Sequence, residues 1–325
     1  MLIINPNPCF DRTLTLGNFA RGAVMRSESA LVTAGGKGIN VARVVRAFKD
    51  SAKLAVLIGV RDAEDYKSLL REEGAEFVAT THPGNIRVAT IIFESDNPTS
   101  TIINERGNQV SPQDWSTFVV EIANNVTSGD IVSCMGSFPN GINQKSIQEL
   151  VEAIHRKGGK IVFDSAPEFL GFALAAGVDI VSPNLDEAES LLQGKSADLF
   201  TGDLTNAQER AEKAAKALLE NGAEVAFVTT GEVGVAVATK DTLDFVHGVK
   251  INLVSAVGAG DSFVAGVMLK YSEYRKANLD FNWRDIAAFG VATASASCEE
   301  SLSGGINVAR ALELYNQILV SEGAA

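Results

Sequence analysis

From about Asn124 onward, short apolar runs alternate with stretches of helical periodicity, and no other feature narrows the fold of this chain so far. Ile131–Cys134 precedes a helical stretch over Asn143–Lys157, and Ile161–Phe163 precedes one near Glu168–Ala176. Ile180-Val181 leads to Asp186–Leu192, and a helix over Ala207–Glu220 leads to Val225–Val228. Continuous β-rich runs separated by helices are what a parallel sheet covered on both faces requires. Three more helices follow near Asp261–Tyr274, Trp283–Ser297 and Val308–Val320.

The N-terminal part differs. Segments at about Thr13–Thr33 and Arg87–Ile103 read as antiparallel strands with turns at Gly17-Asn18 and Asp96-Asn97. They interrupt βα units such as the Gly38–Phe48 helix and the Leu54–Ile58 strand. The expectation is one α/β domain over residues 1–325 with a doubly wound, mostly parallel sheet flanked by helices. A small antiparallel lid sheet, inserted at about 13–33 and 87–104, would lie across the strand ends where open sheets bind ligands. Two ordinary surface hairpins are the plain alternative.

A formal net charge of −12 argues against a non-specific nucleic-acid partner, since no basic surplus exists to displace counterions. The three cysteines, Cys9, Cys134 and Cys298, lack metal-binding spacing and read as buried thiols of a reducing compartment. The chain starts on a strand-like Leu2-Ile3-Ile4 without a signal pattern, and no apolar run approaches a membrane span. The expectation is a cytoplasmic protein with no membrane partner.

Two glycine clusters carry the chemistry. Val257-Gly258-Ala259-Gly260-Asp261-Ser262-Phe263 opens a long apolar helix. Backbone amides at a helix N-terminus suit an oxygen that gains negative charge in phosphoryl transfer, and Asp261 beside them could take a proton from an attacking hydroxyl. A glycine turn with an Asp N-cap would look the same. Far upstream stands Ala34-Gly35-Gly36-Lys37-Gly38-Ile39-Asn40-Val41-Ala42, which offers close backbone approach, a cation and an amide. It fits neither the Walker A loop nor the dinucleotide fingerprint.

Asn7-Pro8-Cys9-Phe10-Asp11, the Gly35–Ala42 cluster, Gly136-Ser137-Phe138-Pro139-Asn140-Gly141, Pro183-Asn184-Leu185-Asp186-Glu187 and Val257–Asp261 occur in this order. The ordered set resembles the ribokinase-like carbohydrate kinases, and within them the phosphofructokinase-B branch that acts on sugar phosphates. The opening Asn-Pro-x-x-Asp with Gly-Gly-Lys-Gly-Ile-Asn-Val-Ala is most similar to 1-phosphofructokinases and tagatose-6-phosphate kinases. The resemblance implies transfer of the ATP γ-phosphoryl group, with magnesium, to a ketohexose phosphate. Fructose 1-phosphate comes first as acceptor, with tagatose 6-phosphate and fructose 6-phosphate as alternatives.

The resemblance also implies roles. Asp261 would be the base, and the Gly258, Ala259 and Gly260 amides would stabilise the transferring group. Asp11, Gly35, Gly36 and Asn40 would contact the sugar, while Lys37 and Arg87 would bind its existing phosphate. Asn104 matches the family's lid asparagine or a hairpin end, and Ser137 either touches sugar or holds its turn. Asn184, Thr230, Gly231, Gly234, Gly258 and Gly260 would lie along ATP. Glu187 would position magnesium through water, or serve only as a first-turn helix acid.

Three departures stand out: Ser182 replaces the family's usual lysine, Thr229-Thr230-Gly231 its Ser-Leu-Gly, and Ala256 its threonine. Ser301-Leu302-Ser303-Gly304-Gly305 could supply carbonyls for a monovalent cation, as in some relatives, or merely close a loop. Lids of such relatives often pair, which leaves a homodimer open. A non-catalytic sugar-phosphate sensor is the alternative of another class, but a binder has no use for a base beside an anion hole.

Overall fold

The computed structural model describes residues 1–96, 99–194, 202–321 and 323. The chain enters through β1 (Leu2–Asn5), leaves for β2 (Cys9–Leu16) and β3 (Ser29–Gly35), and returns through α1 (Lys37–Ala47). β4 (Lys53–Gly59), α2 (Ala63–Glu72) and β5 (Glu76–His82) follow, then β6 (Arg87–Glu94) and β7 (Thr99–Asn104). Next come α3 (Pro112–Asn124), β8 (Ile131–Met135), α4 (Gln144–Arg156) and β9 (Lys160–Asp164). α5 (Pro167–Ala175), β10 (Ile180–Val181), α6 (Leu185–Leu192), α7 (Ala207–Glu220) and β11 (Val225–Thr229) continue the alternation. The hairpin of β12 (Gly234–Thr239) and β13 (Leu243–His247) precedes α8 (Ala259–Ala277), α9 (Trp283–Cys298) and α10 (Val308–Ser321).

Nine strands form one sheet in the order β13-β12-β11-β10-β9-β8-β1-β4-β5, parallel except for the β11-β12 and β12-β13 pairings. Period-two alternation sends neighbouring side chains to opposite faces. Ile3, Leu54, Val56 and Ile58 therefore join the core under α1, α2, α8, α9 and α10. Leu2, Ile4, Ala55 and Leu57 join the core under α3 to α7. Burial on both faces explains why these strands read as unbroken apolar runs rather than alternating ones.

β1 pairs with β4 on one side and β8 on the other, so the strand order reverses beside it. Such a reversal opens a crevice at the carboxyl ends of the strands. Asn5, Gly136 and Asp164 stand there, at or just beyond the ends of β1, β8 and β9.

The second sheet has the order β3-β2-β6-β7. Its outer pairings are antiparallel, as expected, but β2 and β6 run parallel. Both follow parallel strands of the large sheet, β1 and β5, and so travel outward in the same sense. No tight turn forms at Gly17-Asn18, because residues 17–28 separate β2 from β3. Of the expected Asp96-Asn97 turn, Asn97 lies outside the described residues. No helix among the described residues is long and apolar enough to cross a membrane.

Ile58, on β4 of the large sheet, is fully buried. Ile58→Ala should cost about 2–5 kcal/mol of unfolding free energy in urea titration. A loss of a few tenths would mean that this strand is not the core element described.

Candidate active site

Two cavities of about 600 and 650 Å³ meet at the N-terminus of α8. Val257, Gly258 and Asp261 line the first, while Ala256, Ala259, Gly260 and Phe263 line the second. The turn singled out in the sequence is therefore a partition wall. Gly258 adopts φ 84°, a left-handed conformation that favours glycine. A Cβ on Gly260 would meet nothing within 4 Å, so the space before it is open. Of the three expected amides, that of Ala259 already donates to the Ala256 carbonyl at 3.2 Å. Those of Gly258 and Gly260 have no protein acceptor among the described residues.

The first cavity is polar. Of the residues expected to touch the sugar, Asp11, Gly36, Lys37, Asn40, Arg87, Asn104 and Ser137 all line it. Gly35 does not, yet its place is dictated by close approach: a Cβ there would collide with the Asp11 carboxyl. Gly36, at φ 122°, presses likewise on the Asn5 side chain. The Ser137 hydroxyl accepts from Asn7 Nδ2 at 3.0 Å, and Arg87 Nε donates to the Asn7 carbonyl at 3.0 Å. Burial raises the pKa of Asp11, against the opposing effects of the Cys9 Sγ hydrogen bond, Arg43 and Arg87.

Lys37 lines this cavity with its ammonium already bonded to a carboxylate. Its ammonium donates to Asp164 Oδ1 at 3.1 Å, which turns it toward the end of β9. Burial works against this charge, but Asp164, Asp261 and Glu187 outweigh it and hold the pKa above the ordinary lysine value. Three carboxylates thus share one ammonium. Burial pushes the Asp261 carboxyl up to about 7; Asp164 and Glu187 push the same way, while Lys37 and a hydrogen bond from Asn40 oppose. That bond, Asn40 Nδ2 to Asp261 Oδ2, is 2.8 Å long.

The second cavity is mostly apolar, with Val249, Ile251, Leu253, Phe263, Val291 and Ala294 in its wall beside Gly231 and Gly234. Thr230 is buried outside it, its hydroxyl donating to the Gly234 carbonyl at 2.8 Å. Asn184 and Glu187 line neither cavity. They form a reciprocal cap on α6, with Asn184 Oδ1 accepting from Glu187 N at 2.9 Å and Glu187 Oε2 from Asn184 N at 3.0 Å. The Ser303 carbonyl, in the loop considered for a monovalent cation, accepts from Arg43 at 3.3 Å, and that of Leu302 from Gly305 N at 2.8 Å.

Sequence reasoning passed over four polar residues of this region. Asp164 ends a strand at the crevice, a position that alone suggests ligand chemistry. Asn5 does the same on β1 and lines the polar cavity, its Nδ2 buried and without a partner among the described residues. Arg106, two residues beyond Asn104, is an exposed guanidinium in the cavity wall with no ion-pair partner among the described residues. Arg43 gave no local signal at all.

An open α/β sheet, with a buried carboxyl and unpaired amides at one helix start between the two cavities, fits a carbohydrate kinase of ribokinase-like fold. The profile of the pfkB family carbohydrate kinases matches residues 6–310, and the chain belongs to that family. It is 29% identical over 267 residues to a 1-phosphofructokinase of Bacillus subtilis, covering 82% of this chain and 84% of the relative. Identity to a 1-phosphofructokinase of Haemophilus influenzae is 28% over 274 residues, covering 84% of each. Phosphofructokinase-2 from Escherichia coli, solved in complex with potassium, superposes with a TM-score of 0.87 at 23% identity over 98% of both chains. That likeness shows the fold.

Asp261 has a folded pKa above its unfolded value, so the folded state binds the extra proton between the two. The stability this contributes is full below the ordinary carboxylate range and lost as pH rises through about 7. Asp261→Asn should therefore raise the melting temperature relative to the parent more at pH 8 than at pH 5. An equal difference at both pH values would contradict the buried, proton-holding carboxyl.

Proposed function

We propose that the protein transfers the γ-phosphoryl group of ATP to the free terminal hydroxyl of fructose 1-phosphate, giving fructose 1,6-bisphosphate and ADP. The observation that carries this reading is the Gly258–Asp261 turn standing between one cavity lined mostly by polar and charged residues and another lined mostly by apolar ones. A polar acceptor on one side and a nucleotide on the other would meet across it.

In the polar cavity, Asp11 and Asn40 bind sugar hydroxyls, with Asn104 and Ser137 at the rim. Arg87 and Arg106, neither of them paired to a carboxylate among the described residues, take the existing phosphate by charge-assisted hydrogen bonds. Lys37, held by Asp164 beside Asp261, suits the phosphoryl group in flight better than the distal phosphate. The apolar wall takes the nucleobase, and the Gly231 and Gly234 backbone follows the phosphates.

Asp261 accepts the proton as the acceptor oxygen forms its bond to the γ-phosphorus; the bond from that phosphorus to the β–γ bridging oxygen breaks, and ADP leaves. The Gly258 and Gly260 amides stabilise charge on the equatorial oxygens. Because the transition state is loose, alignment and electrostatics supply most of the acceleration.

Three carboxylates around one ammonium, two of them buried, leave a surplus of negative charge, and an oxygen-only donor set fits magnesium. Glu187, with Asp164, would hold the ion through water, and it would neutralise the nucleotide phosphates when bound. No set of three or more histidine, cysteine or acidic residues among the described residues could hold a metal alone. Magnesium asks for less, since it keeps several waters and uses substrate phosphates.

Closure of the small sheet over the polar cavity would exclude water from the transfer. Its outer strands expose Leu31 and Ile103, at 61% and 55%, which supports pairing of two such sheets in a homodimer. The Ser301–Gly305 loop is read as a wall of the sugar cavity, its Leu302 and Ser303 carbonyls already serving Gly305 and Arg43.

An assay coupled to ADP release, run with a panel of sugar phosphates, tests the reading. Turnover on fructose 1-phosphate should exceed that on tagatose 6-phosphate and fructose 6-phosphate; equal or absent turnover would reject the choice. Arg106→Ala should raise KM for fructose 1-phosphate about tenfold or more, the scale of one hydrogen bond to a charged group, and leave KM for ATP unchanged. An effect on ATP alone would exchange the two cavities.

A further inference from the structure

Arg43 lines neither cavity, yet its guanidinium is tied into the site more completely than any other cation described. A guanidinium has five N–H donors and no acceptor. Here all five are used. Nε and Nη2 grip Glu73 at 2.9 and 2.6 Å, and Nη2 also donates to the Ala34 carbonyl at 2.9 Å. Nη1 donates to the Ser303 carbonyl at 3.3 Å and to Asn40 Oδ1 at 3.0 Å. The side chain is 11% exposed.

We propose that Arg43 is a positioning residue that aims Asp261 through the Asn40 amide. A free amide can present either its oxygen or its NH2 group to a neighbour. Arg43 removes that choice, because a flipped amide would set its NH2 against a guanidinium that can only donate. With Oδ1 held, Nδ2 must face Asp261 Oδ2, where it lies at 2.8 Å. Oδ2 is thereby pinned, and Oδ1, with no hydrogen bond among the described residues, is left for the acceptor in the cavity that Asp261 lines. Residues 34, 40, 43, 73, 261 and 303 are joined in one network of stated bonds, which spans α1, α8 and the loop before α10.

The other charged groups facing Asp261 are Lys37, Asp164 and Glu187. None of them touches the Asn40 oxygen, so none can set the amide's orientation. Glu73 holds Arg43 from the segment after α2 and faces Asp11 as well.

This inference rests on the role given to Asp261, and a double-mutant cycle separates the two. At saturating fructose 1-phosphate and ATP, Arg43→Met should lower kcat about tenfold or more, a coupling of the size seen within one hydrogen-bonded network, with KM for ATP unchanged. In an Asn40→Ala background the same change should have almost no further effect on kcat. Arg43→Lys, which keeps one donor for Asn40, should recover part of the loss. If Arg43→Met costs as much without Asn40 as with it, the proposal is overturned and Arg43 only braces the fold. Should Arg43→Met not fold, Glu73→Gln loosens the guanidinium while leaving it in place, and its coupling to Asn40→Ala decides in the same way. Full activity of Asp261→Asn would instead remove the base itself, a separate failure.

Discussion

Taking the Asp261 carboxylate out of water is the constraint to which the rest of this site answers. An isolated buried carboxylate is costly, and here burial raises its pKa even with Lys37 and Asn40 in support. The groups around it arrive from several parts of the fold. Lys37 and Asn40, which favour the charged form, come from the first two turns of α1, while Asp164 and Glu187, which oppose it, come from the end of β9 and the start of α6. Only a sheet whose strand order reverses beside β1 delivers all of these to one crevice.

The same constraint explains why small residues collect here. Gly35 and Gly36 let Asp11 and Asn5 lie against the strand-to-helix turn that launches α1. Gly258 takes the left-handed turn that launches α8. Both helices start in the wall of the polar cavity, and a helix N-terminus presents partial positive charge where an anion would pass. The charge of −12 over the whole chain is met locally by amides and a few cations.

Much of this was legible in the sequence because its signals are local. The β/α alternation gave β8 to β11 and their helices within a residue or two, since doubly buried strands and amphipathic helices carry their periods in short windows. The glycine turns declared themselves for the same reason. What stayed hidden depends on contacts between distant segments. α2, α3 and the β12–β13 hairpin were not anticipated, and nothing in the window around β2 or β6 shows that they pair in parallel. Lys37 looked like a phosphate-binding cation, and only the fold shows it bonded to Asp164, far along the chain. Arg43 reads as an ordinary helix arginine until Glu73, Ala34 and Ser303 are seen to surround it. Asn184 and Glu187 were legible as a pair, and the capping box they form is local too.

On the proposed function, acceptor and donor occupy opposite sides of one helix N-terminus. A crystal structure with fructose 1-phosphate and a non-hydrolysable ATP analogue tests it most directly. The sugar's phosphate is expected on Arg87 and Arg106, its free hydroxyl beside Asp261, and the γ-phosphorus across the Gly258–Gly260 amides at about 3–3.5 Å from that hydroxyl. Both ligands in one cavity, or a sugar bound with its phosphate against Asp261, would contradict it.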